Sequence, residues 1–96
     1  VYVATVGEDA FPAALNLAQT LRQRGLRAAV DLETRSLKGQ MRQANKERYR
    51  YSVILGSDEL QSGQATLKDM LSGEQHTIAL SDVVDRLTRL PEREYA

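Results

Sequence analysis

No cysteine and no tryptophan occur among the 96 residues, and histidine occurs once. Without thiols there is no disulfide framework, no thiolate metal site and no direct mark of a redox compartment. His76 has no cluster of carboxylates around it in the sequence, so the residues for a zinc site are missing. Aromatics are few, four Tyr and one Phe. Tyr49 and Tyr51 flank Arg50, but Tyr51 opens a strand, and neither is assigned a base-stacking role. No apolar run approaches the roughly 18 residues that cross a bilayer. The chain opens directly on VYVATV, with no initiator Met, signal peptide or basic leader, which gives the expectation of a domain cut from a longer protein.

Signature motifs of catalysis and nucleotide binding are also missing. Gly7-Glu8-Asp9 is not G-x-G-x-x-G, and its acids repel a pyrophosphate; the stretch from Gly56 to Gly63 lacks the Gly-Lys-Ser/Thr of a phosphate loop. Ser36 and Ser57 are candidate nucleophiles, but no G-x-S-x-G elbow holds either, and the sole His falls on a hairpin strand. Asp31, Glu33, Asp58 and Glu59 are candidates to meet a hard cation, without the loop spacing such sites use. No catalytic residue, cofactor site or metal site is therefore assigned within this chain.

What is present is one small domain's worth of ordinary composition, 42% apolar and 27% charged. The net charge is zero, but it is unevenly distributed. Positions 35–50 carry Arg35, Lys38, Arg42, Lys46, Arg48 and Arg50 against the single acid Glu47, a local charge of +5 that leaves −5 for the remainder. Zero overall charge argues against indiscriminate coating of nucleic acid, whereas a local basic patch suits an anionic partner at one face. The bland alternative is a solvated helix face.

Periodicity places the elements. Val1–Val6 is a continuous apolar, β-branched run and reads as a buried strand ended by Gly7. Asp9 is the expected cap of a helix with Pro12 in its first turn, the stripe Ala14, Leu17, Ala18 and Leu21, and Gly25 as its stop. Leu26–Leu32 reads as a second strand, parallel to the first. A basic helix capped by Ser36 follows, with Leu37, Met41 and Ala44 on one face. Gly39 is a poor residue for a helix interior, and reads either as close packing against a strand or as room for a ligand backbone. Tyr51–Leu55 is a third strand, and Ser57–Gly63 a turn or short helical loop. Gln64–Met70 and Gln75–Leu80 alternate around Ser72-Gly73-Glu74 and read as a hairpin. Ser81 or Asp82 is the expected cap of a last helix with the stripe Val83, Val84, Leu87 and Leu90, and Pro91 stops it. The order β-α-β-α-β-β-β-α predicts a three-layer α/β domain over 1–90, with a mixed sheet, and a tail at 91–96.

In an open α/β sheet ligands collect beyond the carboxyl ends of the parallel strands. There Arg35, Lys38 and Arg42 are expected to share a rim with Glu59, with Lys68 joining from the hairpin. Arg and Lys suit phosphates, while Arg, Gln and Glu read the edges of unpaired bases. A carboxylate at such a site accepts from amino or imino N–H groups and rejects a base edge that presents only acceptors.

The run D-L-x-x-R-x-L-K-x-Q from Asp31, then Y-x-V-I-L-G from Tyr51, D-E-L-x-x-G from Asp58 and L-K-D-x-x-x-G-E-Q from Leu67 resembles the C-terminal anticodon-binding domain of bacterial histidyl-tRNA synthetases. The ordered set spans Val1 to about Leu90, and its matched spacing is specific. The resemblance implies a five-stranded mixed sheet flanked by three main helices, and a role in gripping the anticodon loop of histidine tRNA. A separate N-terminal catalytic domain is implied to join histidine to that tRNA with ATP and magnesium, in a cytoplasmic, homodimeric ligase. Carried over by motif position, the anticodon contacts are Thr34 and Arg35 after the second strand, Lys38, Gln40 and Arg42 on the next helix, Glu59 after the third strand, and Lys68. Where the family often has A-D-K-x-G-A-R-Y, this chain has Ala44 to Tyr51 with Arg48 in place of the helix-ending Gly. The alternative is a synthetase-like paralogue that serves regulation or protein contacts without charging tRNA.

Overall fold

The computed structural model describes residues 1–31 and 36–90. Five strands form one sheet: β1 (Tyr2–Val6), β2 (Ala29–Val30), β3 (Tyr51–Gly56), β4 (Gln64–Asp69) and β5 (Gln75–Ala79), in the order β2-β1-β3-β4-β5. β1 runs parallel to both β2 and β3, whereas β3–β4 and β4–β5 are antiparallel. The four helices are α1 (Phe11–Gln23), α2 (Leu37–Lys46), the short α3 (Ser57–Gln61) and α4 (Val83–Arg89). This is the mixed five-stranded α/β architecture that the sequence predicts, and of the turn or short helical loop expected after β3 the helix, α3, is observed.

Alternation along the strands divides the interior in two. Val1, Val3, Val53, Leu55, Ala65 and Leu67 join α1 and α4 in one core, into which Leu21 and Leu87 are fully buried. The expected stripe of α1, Ala14, Leu17, Ala18 and Leu21, is the buried set observed. On the other face Tyr2, Ala4 and Ile54 pack with Ala44 of α2 and with Tyr49. The α2 helix covers only the β1–β3 part of that face. Over β4 and β5 no helix among the described residues covers this side, and Gln75 and Thr77 are exposed.

Four local expectations are corrected. The second strand is only Ala29–Val30 within the described residues, because Leu26 is used to close α1: its N–H bonds the Leu21 carbonyl while that of Gly25, at φ 87°, bonds Arg22. This double closure is a Schellman motif. Asp9 does not cap α1; it lies in a 3₁₀ turn, Glu8–Ala10, that leads into the helix, and its carboxylate accepts from the Ser57 hydroxyl instead. Asp82 stands at the N-cap of α4 without a side-chain bond, because a 3₁₀ turn, Leu80–Asp82, precedes that helix too. The fourth correction, at Gln40, bears on the site. Ser36 does cap α2, accepting from the Gly39 N–H at 3.2 Å.

Candidate nucleic-acid interface

The sheet order reverses between β1 and β3. The chain leaves β1 for β2 through α1 on one face, then crosses back over β1 through α2 on the other to reach β3. The connections after β1 and β3 thereby leave the sheet in opposite directions, and the carboxyl ends of those strands are where open α/β sheets hold ligands. A cleft of about 590 Å³ opens there. Its floor includes Ile54, its walls include Val6 and Leu37, and Glu59, Thr66 and Gln75 border it towards the hairpin.

Two close approaches shape this end. Gly7, at φ 103°, brings the turn after β1 against the turn after β3; any side chain there collides with the Ser57 hydroxyl. That hydroxyl also lies 3.4 Å from the Val6 carbonyl oxygen, so Ser57 ties the two turns together. At Gly56 a Cβ would stand 3.0 Å from Glu59 Oε1. The bare backbone lets the carboxylate fold back over the end of β3, and the Thr66 hydroxyl donates to Glu59 Oε2 at 2.7 Å. Glu59 is therefore held from two sides with lone pairs remaining for a ligand.

The electrostatic layout separates two kinds of partner. Asp58 and Glu59 are the charged groups lining the cleft, and no Lys or Arg among the described residues lines it. Lys38 and Arg42 are exposed on α2, and Lys68 lies on the open sheet face, flanked across the strands by Ser52 and Gln75. Phosphates are drawn to those shoulders and repelled from the centre, while a base edge with N–H donors is admitted to the centre. Among the described residues no aromatic side chain lines the cleft: Tyr2, Tyr49 and Tyr51 are buried, with Tyr2 packed on Tyr49 and Arg27 over the Tyr49 ring at 3.9 Å. In place of a stacking ring, the cleft offers Val6 and Leu37, 48% and 38% exposed.

The residues expected at the site thus divide. Glu59 is in the cleft, Lys68 on the adjoining sheet face, and Lys38 and Arg42 on the helix whose first residue forms a wall. Gln40 is corrected: it is 1% exposed and points into the sheet, with its amide bonded to both backbone groups of Thr5. It positions α2 and has no free edge for a base. Thr34 and Arg35 lie outside the described residues. Sequence reasoning missed Val6, Leu37, Thr66 and Gln75. Alternation already put Thr66 on the face of Lys68, but which neighbours meet across strands depends on register, and register is set by the folded sheet.

Ser36 and Ser57, considered as nucleophiles, cap α2 and bridge two turns respectively. His76 pairs across from Leu67 and so faces the α1 and α4 side, with Glu74 at 3.7 Å. Among the described residues no three His, Asp or Glu side chains gather as a metal cluster, and no helix is long and apolar enough to cross a membrane.

A parallel three-stranded core extended by a hairpin, with a cleft that is acidic at its centre and basic at its shoulders, defines a nucleic-acid-recognition module of the α/β class. The family model for the anticodon binding domain matches residues 1–90, and the chain belongs to that family. It is 46% identical over 89 residues to a histidine–tRNA ligase of Symbiobacterium thermophilum, which covers 93% of this chain and 21% of the relative. It is 41% identical over 90 residues to one of Halothermothrix orenii, covering 94% of this chain and 22% of the relative. The crystal structure of apo histidyl-tRNA synthetase of S. aureus superposes with a TM-score of 0.83 at 33% identity, over 88% of this chain and 25% of that one. The RNA binding domain of threonyl-tRNA synthetase from Cryptosporidium parvum shares the fold, with a TM-score of 0.82 at 16% identity. The chain spans about a fifth of the length of the curated relatives it matches.

Proposed function

We infer that this chain is the anticodon-gripping domain of a histidine–tRNA ligase and that its ligand is the anticodon loop of histidine tRNA. The observation that carries the reading is the placement of Glu59: a carboxylate fixed by Thr66 and Gly56 in a cleft at the sheet's reversal point, with the cations among the described residues at the shoulders. An unpaired base enters edge first, donating to Glu59, while Lys38, Arg42 and Lys68 take the flanking phosphates. Similarity to histidine–tRNA ligases supports the choice of tRNA. Joining histidine to that tRNA with ATP and magnesium belongs to a catalytic domain elsewhere in the parent enzyme, which on this reading is a cytoplasmic homodimer.

The test is titration of this domain with a GUG anticodon stem-loop and a loop-scrambled control at two salt concentrations. Preference for GUG that persists while overall affinity falls with salt supports base reading in the cleft. Equal, salt-sensitive binding of both hairpins leaves only a basic surface and rejects it.

A further inference from the structure

The outward side of α2 carries a row of cations that runs on past the cleft. Lys38, Arg42 and Lys46 are each exposed, four residues apart, on the side opposite the buried Gln40 and Ala44. Successive members are separated by about 6 Å along the axis and lie on one slowly drifting row. That step is of the same order as the distance between neighbouring phosphates on a nucleic-acid strand. Among the described residues none of the three makes an ion pair or a side-chain hydrogen bond. The row begins one residue from Leu37 at the cleft wall and ends at the last turn of the helix, where Arg42, Gln43 and Lys46 border a shallow hollow beside Gly39. No aromatic lies on α2, so its surface offers charge and no stacking platform.

We propose that this row is a track for the phosphate backbone of a base-paired RNA stem that continues from the loop held in the cleft, with Lys46 as its far contact. The proposal rests on the reading that the cleft holds unpaired bases. A paired strand turns its bases inward and presents regularly spaced phosphates outward, which is what a straight row of cations without aromatics matches. A flexible single strand would gain from stacking residues, and the row has none. The carboxyl-terminal half of α2 therefore reads no sequence; it sets the angle at which the stem leaves the cleft.

The experiment compares two RNAs, the GUG stem-loop and a single-stranded heptamer of the same loop, against the unaltered chain, Lys46→Gln and Arg89→Gln. Arg89 is exposed on α4, on the other face of the sheet, and its replacement makes the same change in net charge. The expected result is that Lys46→Gln weakens the stem-loop by about 3–10-fold at low salt and lowers its logarithmic salt slope by about one. The heptamer is unaffected by Lys46→Gln, and Arg89→Gln changes neither RNA. Equal losses on both RNAs, equal losses from Lys46→Gln and Arg89→Gln, or no loss at all would overturn the track. If the unaltered chain binds neither RNA, the anticodon reading falls and the track with it. Loop preference that survives in a chain whose Lys46 proves silent removes the track alone.

Discussion

Gln40 completes the sheet where a strand stops. Its Nε2 donates to the Thr5 carbonyl at 2.8 Å and its Oε1 accepts from the Thr5 N–H at 2.9 Å. Among the described residues β2 pairs with β1 only at Tyr2 and Val3, none of them pairs with Thr5 from β2, and the side-chain amide of α2 supplies a donor and an acceptor to Thr5. Gln40→Ala is expected to destabilise the domain by about 1–3 kcal/mol, because it orphans part-buried backbone groups. Gln40→Glu is expected to cost at least as much despite its matched size, since a carboxylate faces the Thr5 carbonyl without a proton to donate. Urea unfolding of both variants checks this, and Gln40→Glu more stable than Gln40→Ala would reject the peptide-like role.

The two long helices end alike, with different residues at the turning point. In α1 the left-handed position is Gly25, at φ 87°, and in α2 it is Arg48, at φ 60°. The α2 closure is complete, with the Tyr49 N–H bonding Ala44 and that of Arg48 bonding Asn45, and Tyr49 packs in the same core as Ala44. An L side chain at that position is strained where glycine is not. Arg48→Gly is expected to stabilise the domain by about 0.5–1 kcal/mol, net of the entropy glycine adds to the unfolded chain. Arg48→Ala keeps the Cβ and is expected to give no gain. The measurement is the urea midpoint of each.

Legibility in the sequence followed the kind of signal involved. The α1 stripe and the β4 alternation are set by burial, and burial writes periodicity into the chain, so they were readable. The replacement of a family glycine by Arg48 was visible as well, although its positive φ was not. Gln40 was assigned to the anticodon by motif position from the family resemblance; only the folded contact with Thr5 reveals that its amide is needed inside. The shortness of β2 was hidden as well, since Leu26 is apolar and continues the strand pattern while serving the end of α1. The cleft's location followed from strand order. Its aliphatic walls did not, because Val6 ends an apolar strand and Leu37 opens an apolar stripe, and nothing in either pattern marks the residue left exposed.

The hairpin is anchored by an ion pair remote from the cleft. Arg50 Nε donates to Asp69 Oδ1 at 3.1 Å, and the same oxygen accepts from the Leu71 N–H at 2.9 Å as the chain turns. The Arg50 hydrogen bond, opposed in part by burial and aided by the Leu71 and Ser72 N–H groups, holds the Asp69 carboxyl below its ordinary range. A carboxylate whose folded value is depressed contributes stability above its unfolded value and loses it as pH falls through the folded one. The unaltered domain is therefore expected to lose stability relative to Asp69→Asn on acidification from about pH 5 to below 4. Urea unfolding across that range reads the difference, and parallel curves would show that Asp69 is not a source of acid sensitivity.

Val6 and Leu37 line the cleft and are substantially exposed, so on the proposed reading they meet the flat face of the base in place of a stacking ring. Contact of that face with aliphatic side chains would bury apolar area and would not be screened by ions, unlike the phosphate contacts proposed for Lys38, Arg42 and Lys68. Replacing either with serine is expected to weaken the GUG stem-loop by a few-fold, and by the same factor at low and at high salt. Arg42→Ala, by contrast, is expected to lose most of its effect as salt rises. Both side chains are substantially exposed, so the serine variants should stay within about 0.5 kcal/mol of the original stability. A Leu37→Ser effect that vanishes at high salt would mean that the wall acts only by placing Lys38, its neighbour on α2, and that no base packs against it.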